Sequence, residues 1–359
     1  MAPGPDLEDR LEPFVGRHVP GVAAAVVTAD GVRSAAGAGL ADIAAEVPAS
    51  ISMVCPWFSM TKIATATIAM RFVDRGDLDL DEPVIGLAPS LGRLTPADDA
   101  RRITVRHLLS HAAGLANPIP VSWIHPADRP GPDPDAFLDR LLAKHPKLRF
   151  EPGSRSSYSN LGTLALGSAL AHLAGKAYTE IVADELLGPL GMTRTAFVYT
   201  PEMSTTAATG YHPRWSAMRA LLPRWVMGPP AGRWISFNRF LLDGSAYGGL
   251  VGPVEDVARF LQMHLRDGEL EGTRILEPST AASMREIGTP GKRFDLGLGW
   301  FRPSNARAAD PSFVEHLGGG AGFFNVIRFY PSKAVGIAVM GNATNYDIDG
   351  VAALALDER

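Results

Sequence analysis

Between Pro56 and Gly76 the chain carries a segment that cannot sit on a surface. Lys62-Ile63-Ala64-Thr65-Ala66-Thr67-Ile68-Ala69-Met70-Arg71-Phe72-Val73-Asp74-Arg75 has the length of an ordinary helix, is apolar nearly all round, and ends before Gly76, a natural stop. A helix apolar on every side has to be wrapped by other elements, so the fold is expected to be built around it. Just ahead stands Trp57-Phe58-Ser59-Met60-Thr61-Lys62. Ser59 falls at or near the first turn, where unpaired N–H groups and the positive end of the helix dipole favour developing negative charge. Lys62 shares its face. A serine beside an amine at a buried helix start is the pattern of an activated nucleophile. The plainer alternative makes Ser59 a helix cap and lets Lys62 reach solvent. Against it, Lys62 is the only lysine with a serine three residues before it, and burying a lone charge is costly.

Bulk composition narrows the field. A chain of 359 residues can bury a large core as one domain or two. With 46% hydrophobic and 20% charged residues, wholesale disorder is excluded. The net charge of −4, with acids and bases interspersed, gives no nucleic-acid surface. The lone Cys55 excludes an intramolecular disulfide and fits a reducing compartment; it reads as a buried structural thiol rather than a nucleophile. Met1 to Asp9 is acidic and broken by prolines, unlike an export signal, and no apolar run reaches membrane-spanning length. The expectation is a soluble, cytoplasmic protein without a membrane span.

Taken in order, Asp6 to His18 reads as a short amphipathic helix, and Val22 to Val27 and Val32 to Ala38 as strands joined at Asp30-Gly31. Gly37-Ala38-Gly39 looks like the start of a dinucleotide loop but lacks its third glycine. Ile103 to His111 predicts a helix capped by Thr104. His107 and His111 have metal-ligand spacing there, but no third ligand is evident and structural histidines are favoured. Further helices are expected over 137–148, 161–175, 253–265 and 349–356, a helix and turn over 183–192, and strands over 296–301, 313–317, 322–330 and 334–340. Two insertions rich in proline and tryptophan stand out. Residues 117–135 carry Trp123, and 211–235 carry Trp215, Trp225 and Trp234 among arginines. Long stiff loops inside a compact chain are usually functional. The second suits a pocket lid, a partner site or a membrane-surface patch, with the lid preferred.

A second landmark is Tyr158-Ser159-Asn160, on a loop entering the apolar helix that Gly175 closes. A tyrosine can act as a base only if a neighbouring cation lowers its pKa, and Lys62 could be that cation; the alternative is a packing residue with a satisfied hydroxyl. A third is His316-Leu317-Gly318-Gly319-Gly320 on a late strand, where glycines let another backbone or a ligand come close.

In order, then, the chain offers Ser59-x-x-Lys62, Tyr158-x-Asn160 and His316-x-Gly318. Together with Leu109-Ser110-His111-Ala112-Ala113-Gly114-Leu115, Gly248-Gly249-Leu250 and Leu296-Gly297-Leu298-Gly299-Trp300, this resembles the penicillin-recognising serine hydrolases. Within them it is most similar to class C β-lactamases and family VIII carboxylesterases, over nearly the whole chain. The resemblance implies that Ser59 carries the acyl group and that Lys62 and Tyr158 share the proton work, with the base unsettled. It further implies that Asn160 bonds Lys62 or substrate, and that the N–H groups of Ser59 and Gly319 form the oxyanion hole, at roughly 3 kcal/mol per donor in comparable sites. His316, Leu317, Gly318, Trp123 and Trp225 are expected to shape substrate binding. Neither metal nor cofactor is implied. Lactamases and DD-peptidases usually carry Lys-Thr/Ser-Gly where this chain has His316-Leu317-Gly318, so a substrate carboxylate should be held less well.

The expected fold is α+β: an antiparallel sheet domain from 1–58 and 236–359, with a mostly helical domain, 59–235, inserted. The expected activity is hydrolysis of short or medium acyl esters through acyl-Ser59. The alternatives are a β-lactamase, a D-amino-acid amidase or peptidase, an acyltransferase on the same site, and, from another class, a non-catalytic binding module.

Overall fold

A computed structural model describes residues 6–16, 18–216 and 222–357. Met1 to Pro5, in the acidic N-terminal stretch, and residues 217–221 of the second insertion lie outside the described residues.

Strands from both ends of the chain form one eight-stranded antiparallel sheet. They are β1 (Gly21–Thr28), β2 (Gly31–Asp42), β3 (Val47–Pro48), β4 (Phe294–Leu296), β5 (Phe301–Pro303), β6 (Val314–Gly320), β7 (Phe323–Tyr330) and β8 (Val335–Gly341), in the order β4-β5-β6-β7-β8-β1-β2-β3. β1 is covered on both faces, and alternation sorts its side chains. Ala23, Ala25 and Val27 face the large core shared with the helices. Val22, Ala24 and Val26 face a second cluster closed by Leu7 and Leu11 from one terminus and Val351 and Ala352 from the other. Burial on both faces explains why β1 reads as a continuous apolar run. Gly37 to Gly39 lie inside β2, paired with Ala23 to Gly21, so the dinucleotide-loop reading is excluded.

The apolar helix α1 runs from Thr61 to Asp74, with eleven of its 14 residues buried. Its threonines are satisfied internally: Thr67 Oγ1 donates to the Ile63 carbonyl at 2.8 Å, and Thr65 Oγ1 lies 2.7 Å from the Ala246 carbonyl. Gly76 ends it with φ +76°, donating its N–H to Val73. The second apolar helix, α2 (Asn160–Ala174), is capped by the Ser159 hydroxyl and closed by left-handed Gly175. At Gly167 it meets the 245–247 turn so closely that a Cβ would stand 2.4 Å from that of Ala246. The amphipathic α3 (Val254–Leu265) packs under β1 and β8.

Local reading failed where short elements were fused. The strand expected over 296–301 is instead β4 and β5, separated by a turn in which Gly299 adopts φ +97°. The helix expected over 103–111 spans only Val105–Leu109, because His107 turns back to accept the Thr104 N–H and His111 adopts φ +52°. The domain limit expected at 235/236 falls inside the strand Trp234–Phe237, which pairs with both Tyr211–Pro213 and Met227–Ala231.

Candidate active site

Ser59 lies in a 3-10 turn, Phe58–Met60, that runs directly into α1. Phe58 has φ +47°, a left-handed backbone that is uncommon for an aromatic residue and holds the turn sharply bent. The glycines of β6 make room for this turn. A Cβ on Gly318 would stand 2.1 Å from the Trp57 carbonyl oxygen, and one on Gly320 would stand 2.2 Å from the Phe58 ring. The end of β6 thus lies flat against the turn that carries the serine.

Lys62 Nζ is 3.0 Å from Ser59 Oγ and 2.6 Å from the Tyr247 carbonyl oxygen, to which it donates. The rings of Tyr158 and Tyr247 flank it at 4.9 and 5.3 Å. Lys62 is buried, and no carboxylate pairs with it among the described residues. Burial therefore holds its pKa well below that of an ordinary lysine. Burial also pushes the Tyr158 phenol well above its ordinary range, offset only in part by a hydrogen bond with Ser59. Both shifts favour uncharged groups, an amine with a free lone pair and an intact phenol. Burial, rather than the neighbouring Lys62, dominates the Tyr158 shift.

Two histidines back the phenol. The His111 ring stacks 4.6 Å from the Tyr158 ring, with its Nδ1 accepting the Ser159 N–H; the His316 ring lies 6.2 Å from that of Tyr158. Burial first, then the neighbouring Lys62, pulls His111 down to about 3 and lowers His316 well below its usual value, so both imidazoles stay neutral. His111 had been read as structural. Its signal lay in the Ser110-His111-Ala112-Ala113-Gly114 segment, whose backbone receives Gly153 and Ser157 and so fixes the loop leading to Tyr158.

A cavity of about 420 Å³ opens beside the serine. Ser59, Asn160, Tyr247 and Gly319 supply its polar end, and Phe58, Val121, Ile124, Phe240, Leu242 and Phe324 much of its apolar wall. The Asn160 side-chain oxygen is buried without a hydrogen-bond partner, and no bond joins Asn160 to Lys62 among the described residues. Ser59 and Gly319 share this cavity. β5 pairs with β6 only at Phe301–Glu315, so the stretch of β6 from His316 to Gly320 has no strand partner on that edge among the described residues.

Several expected binding residues belong elsewhere. Trp123 is buried behind the wall, edge-on to both Phe137 and Tyr247. Trp225 is 38% exposed and outside the cavity lining. Leu317 points to the opposite face of the sheet, since side chains alternate along β6. His316 is buried against Tyr158 and Phe301, and Gly318 serves the packing of β6 on Trp57. The walls that sequence reading missed are Tyr247 and Phe240, which carry no local signal. Cys55 is buried, its thiol pKa raised by burial, in a strand paired with Val251–Gly252. No group of His, Cys, Asp and Glu suited to a metal occurs among the described residues.

A serine hydroxyl, a lysine amine and a tyrosine phenol thus meet where the antiparallel sheet abuts the apolar helix. The chain belongs to the β-lactamase family, whose model, described as Beta-lactamase, matches residues 7–358. Protein Rv1367c of Mycobacterium tuberculosis is 34% identical over 264 residues, covering 69% of this chain and 62% of that protein. Among solved structures, a class C beta-lactamase superposes with a TM-score of 0.73 at 21% identity, covering 95% and 91% of the two chains. EstCE1, described as a hydrolase with promiscuous acyltransferase activity, does so with 0.70 at 24%, covering 98% and 94%. At these identities the two structures speak for the fold alone. No helix among the described residues is long and apolar enough to cross a membrane.

Proposed function

We propose that the chain is a carboxylesterase that cleaves esters of short or medium neutral acyl chains through an acyl-Ser59 intermediate. The observation that carries this reading is the chemistry of the cavity: its wall is largely aliphatic and aromatic and includes no lysine or arginine. An anionic β-lactam or peptide terminus would bring its carboxylate into this space with no lysine or arginine in the lining to pair it, whereas a neutral ester leaves no charge unpaired.

In the proposed mechanism the Ser59 proton passes to the Lys62 lone pair as Oγ bonds to the ester carbonyl carbon. The charge that develops on the carbonyl oxygen is held by the N–H groups of Ser59 and Gly319. As the carbon–oxygen bond of the ester breaks, the Tyr158 phenol hands its proton to the departing alkoxide and takes one back from Lys62. Water then attacks the acyl carbon by the same relay in reverse and releases the acid. His111 and His316 hold the phenol in place, and Asn160 offers its unpartnered oxygen to a donor on the substrate. We assign the site to the joint between the sheet domain, built from both chain ends, and the helical domain inserted after residue 58, with the second limit to be drawn outside the strand Trp234–Phe237 rather than at 235/236. The lone buried Cys55 supports a reducing, cytoplasmic setting.

Offered p-nitrophenyl butyrate, nitrocefin and a D-alanyl anilide, the protein is expected to turn over the ester and Ser59→Ala to turn over none. Comparable efficiency on nitrocefin or the anilide would replace the esterase reading with the lactamase or amidase one. Silence on all three, with no labelling by a fluorophosphonate, would leave a binding module.

A further inference from the structure

The Tyr247 hydroxyl belongs to a side chain that lines the cavity beside Ser59, and it is buried without a hydrogen-bond partner among the described residues. The residue is only 3% exposed, and its ring has little freedom to swing toward a partner. Trp123 meets the ring edge-on at 5.6 Å, Lys62 Nζ sits 5.3 Å from its centre, and the Tyr247 carbonyl is tied to that amine at 2.6 Å. A phenylalanine would supply the same ring and the same carbonyl, without the cost of an unpaired buried hydroxyl. Burial first, then the Asp243 charge, pushes the phenol well above its ordinary range, so it keeps its proton and can donate. The matching acceptor is the Asn160 side-chain oxygen. It too is buried without a partner among the described residues, and Asn160 lines the same cavity. Lys62 Nζ lies 3.0 Å from Ser59 Oγ, so the Tyr247 ring stands near the nucleophile rather than at the far end of the cavity.

A substrate group that satisfies both atoms must accept from Tyr247 and donate to Asn160. It must also be uncharged, because the lining holds no lysine, arginine, aspartate or glutamate. A hydroxyl does both through one oxygen. A secondary amide holds its donor and acceptor on opposite edges of a plane and adds a second arm beyond the nitrogen. The side of the ester follows from Tyr158. In the mechanism above it protonates the departing alkoxide, yet it is not among the residues lining the cavity, so the cavity takes the acyl chain.

We infer that the site selects acyl chains bearing a hydroxyl on the second or third carbon, with Tyr247 donating to that hydroxyl and Asn160 accepting from it. Placing the hydroxyl on the acyl chain rests on the esterase reading above. The demand for a neutral group that both donates and accepts stands on the two unpartnered atoms alone. A plain acyl chain leaves both of them unpaired, and a site built around a substrate hydroxyl discriminates strongly against the analogue that lacks it.

The test compares kcat/KM for the p-nitrophenyl esters of butyrate, of each enantiomer of 2- and 3-hydroxybutyrate, and of N-acetylglycine. Each value is divided by the spontaneous hydrolysis rate of that ester, in wild type and in Tyr247→Phe, with thermal unfolding to confirm that the variant keeps the fold. Wild type is expected to prefer at least one hydroxybutyrate over butyrate by about tenfold or more, and Tyr247→Phe to shrink that ratio to about two or less. Butyrate or N-acetylglycine turned over as well as the best hydroxybutyrate, or a ratio unchanged in Tyr247→Phe, would overturn the hydroxyl recognition and leave the esterase reading standing. Binding of methyl 3-hydroxybutyrate and methyl butyrate to Ser59→Ala, followed by saturation-transfer NMR, separates the two in the other direction. A wild type inert toward every ester, with the hydroxy ester bound in preference, would overturn the esterase reading and keep the recognition. The same inertness with no preference in binding would overturn both.

Discussion

Lys62 donates to the backbone carbonyl of Tyr247 at 2.6 Å, a contact between residues 185 positions apart. A carbonyl offers a partial charge and no site for a proton, so it positions the amine without acting as its counter-ion. With no carboxylate beside it, the buried amine gives up its proton readily and can face Ser59, 3.0 Å away, with a lone pair.

The sign of the pH dependence follows. Because burial lowers the Lys62 pKa, kcat/KM should rise as pH climbs through that depressed value and already be full well below 10.5. Tyr158 is shifted the other way, so its ionisation should not limit the rate near neutrality. Tyr158→Phe is expected to lower kcat by about 10²–10⁴-fold while leaving the rising limb in place. Disappearance of that limb in the Phe variant would make Tyr158 the base.

The two tryptophans once expected in the pocket should behave differently. Trp123 props Tyr247 and Phe137 from behind, so Trp123→Ala should cost about 3–5 kcal/mol in urea unfolding. Exposed Trp225→Ala should stay within about 0.5 kcal/mol. It should also leave the acyl-length profile, measured over a series of p-nitrophenyl esters, unchanged.

Gly318→Ala would drive a methyl group to 2.1 Å from the Trp57 carbonyl, and a backbone atom cannot swing aside. β6 must back away from the serine turn, which should lower kcat by about a hundredfold, as misplacements of an ångström do. Gly86→Ala, with nothing within 4 Å of its Cβ, is the control and should leave kcat unchanged.

Glu315 and Arg328 sit opposite each other on β6 and β7, 2.6 Å apart and almost wholly buried. Glu315→Ala would leave Arg328 with Asp349, at the protein's edge, as its one carboxylate partner among the described residues and should cost about 3–5 kcal/mol in denaturant unfolding. Replacing both partners by apolar residues should cost markedly less, and an equal cost would show that the pair is not the cause.

What could be seen in the residues alone was whatever repeats or clusters locally. The all-round apolar pattern of α1, its serine and lysine one turn apart, and the Tyr158 loop at the head of α2 are such signals, as is the strand content of both termini. Tyr247 and His111 were missed as parts of the site because their roles come from long-range placement. One offers a backbone oxygen and a ring to Lys62, the other a ring face against Tyr158. Trp123 and Trp225 were misplaced because composition marks a segment as special without saying which face of it looks inward, and Leu317 because a motif match does not say which face of the strand each residue takes.

Intact-protein and peptide mass measurement after brief mixing with p-nitrophenyl butyrate should show one butyryl increment, mapped to Ser59, absent from Ser59→Ala and persisting longer in Tyr158→Phe. Turnover with the increment on another residue, or undiminished turnover by Ser59→Ala, would contradict the acyl-Ser59 intermediate.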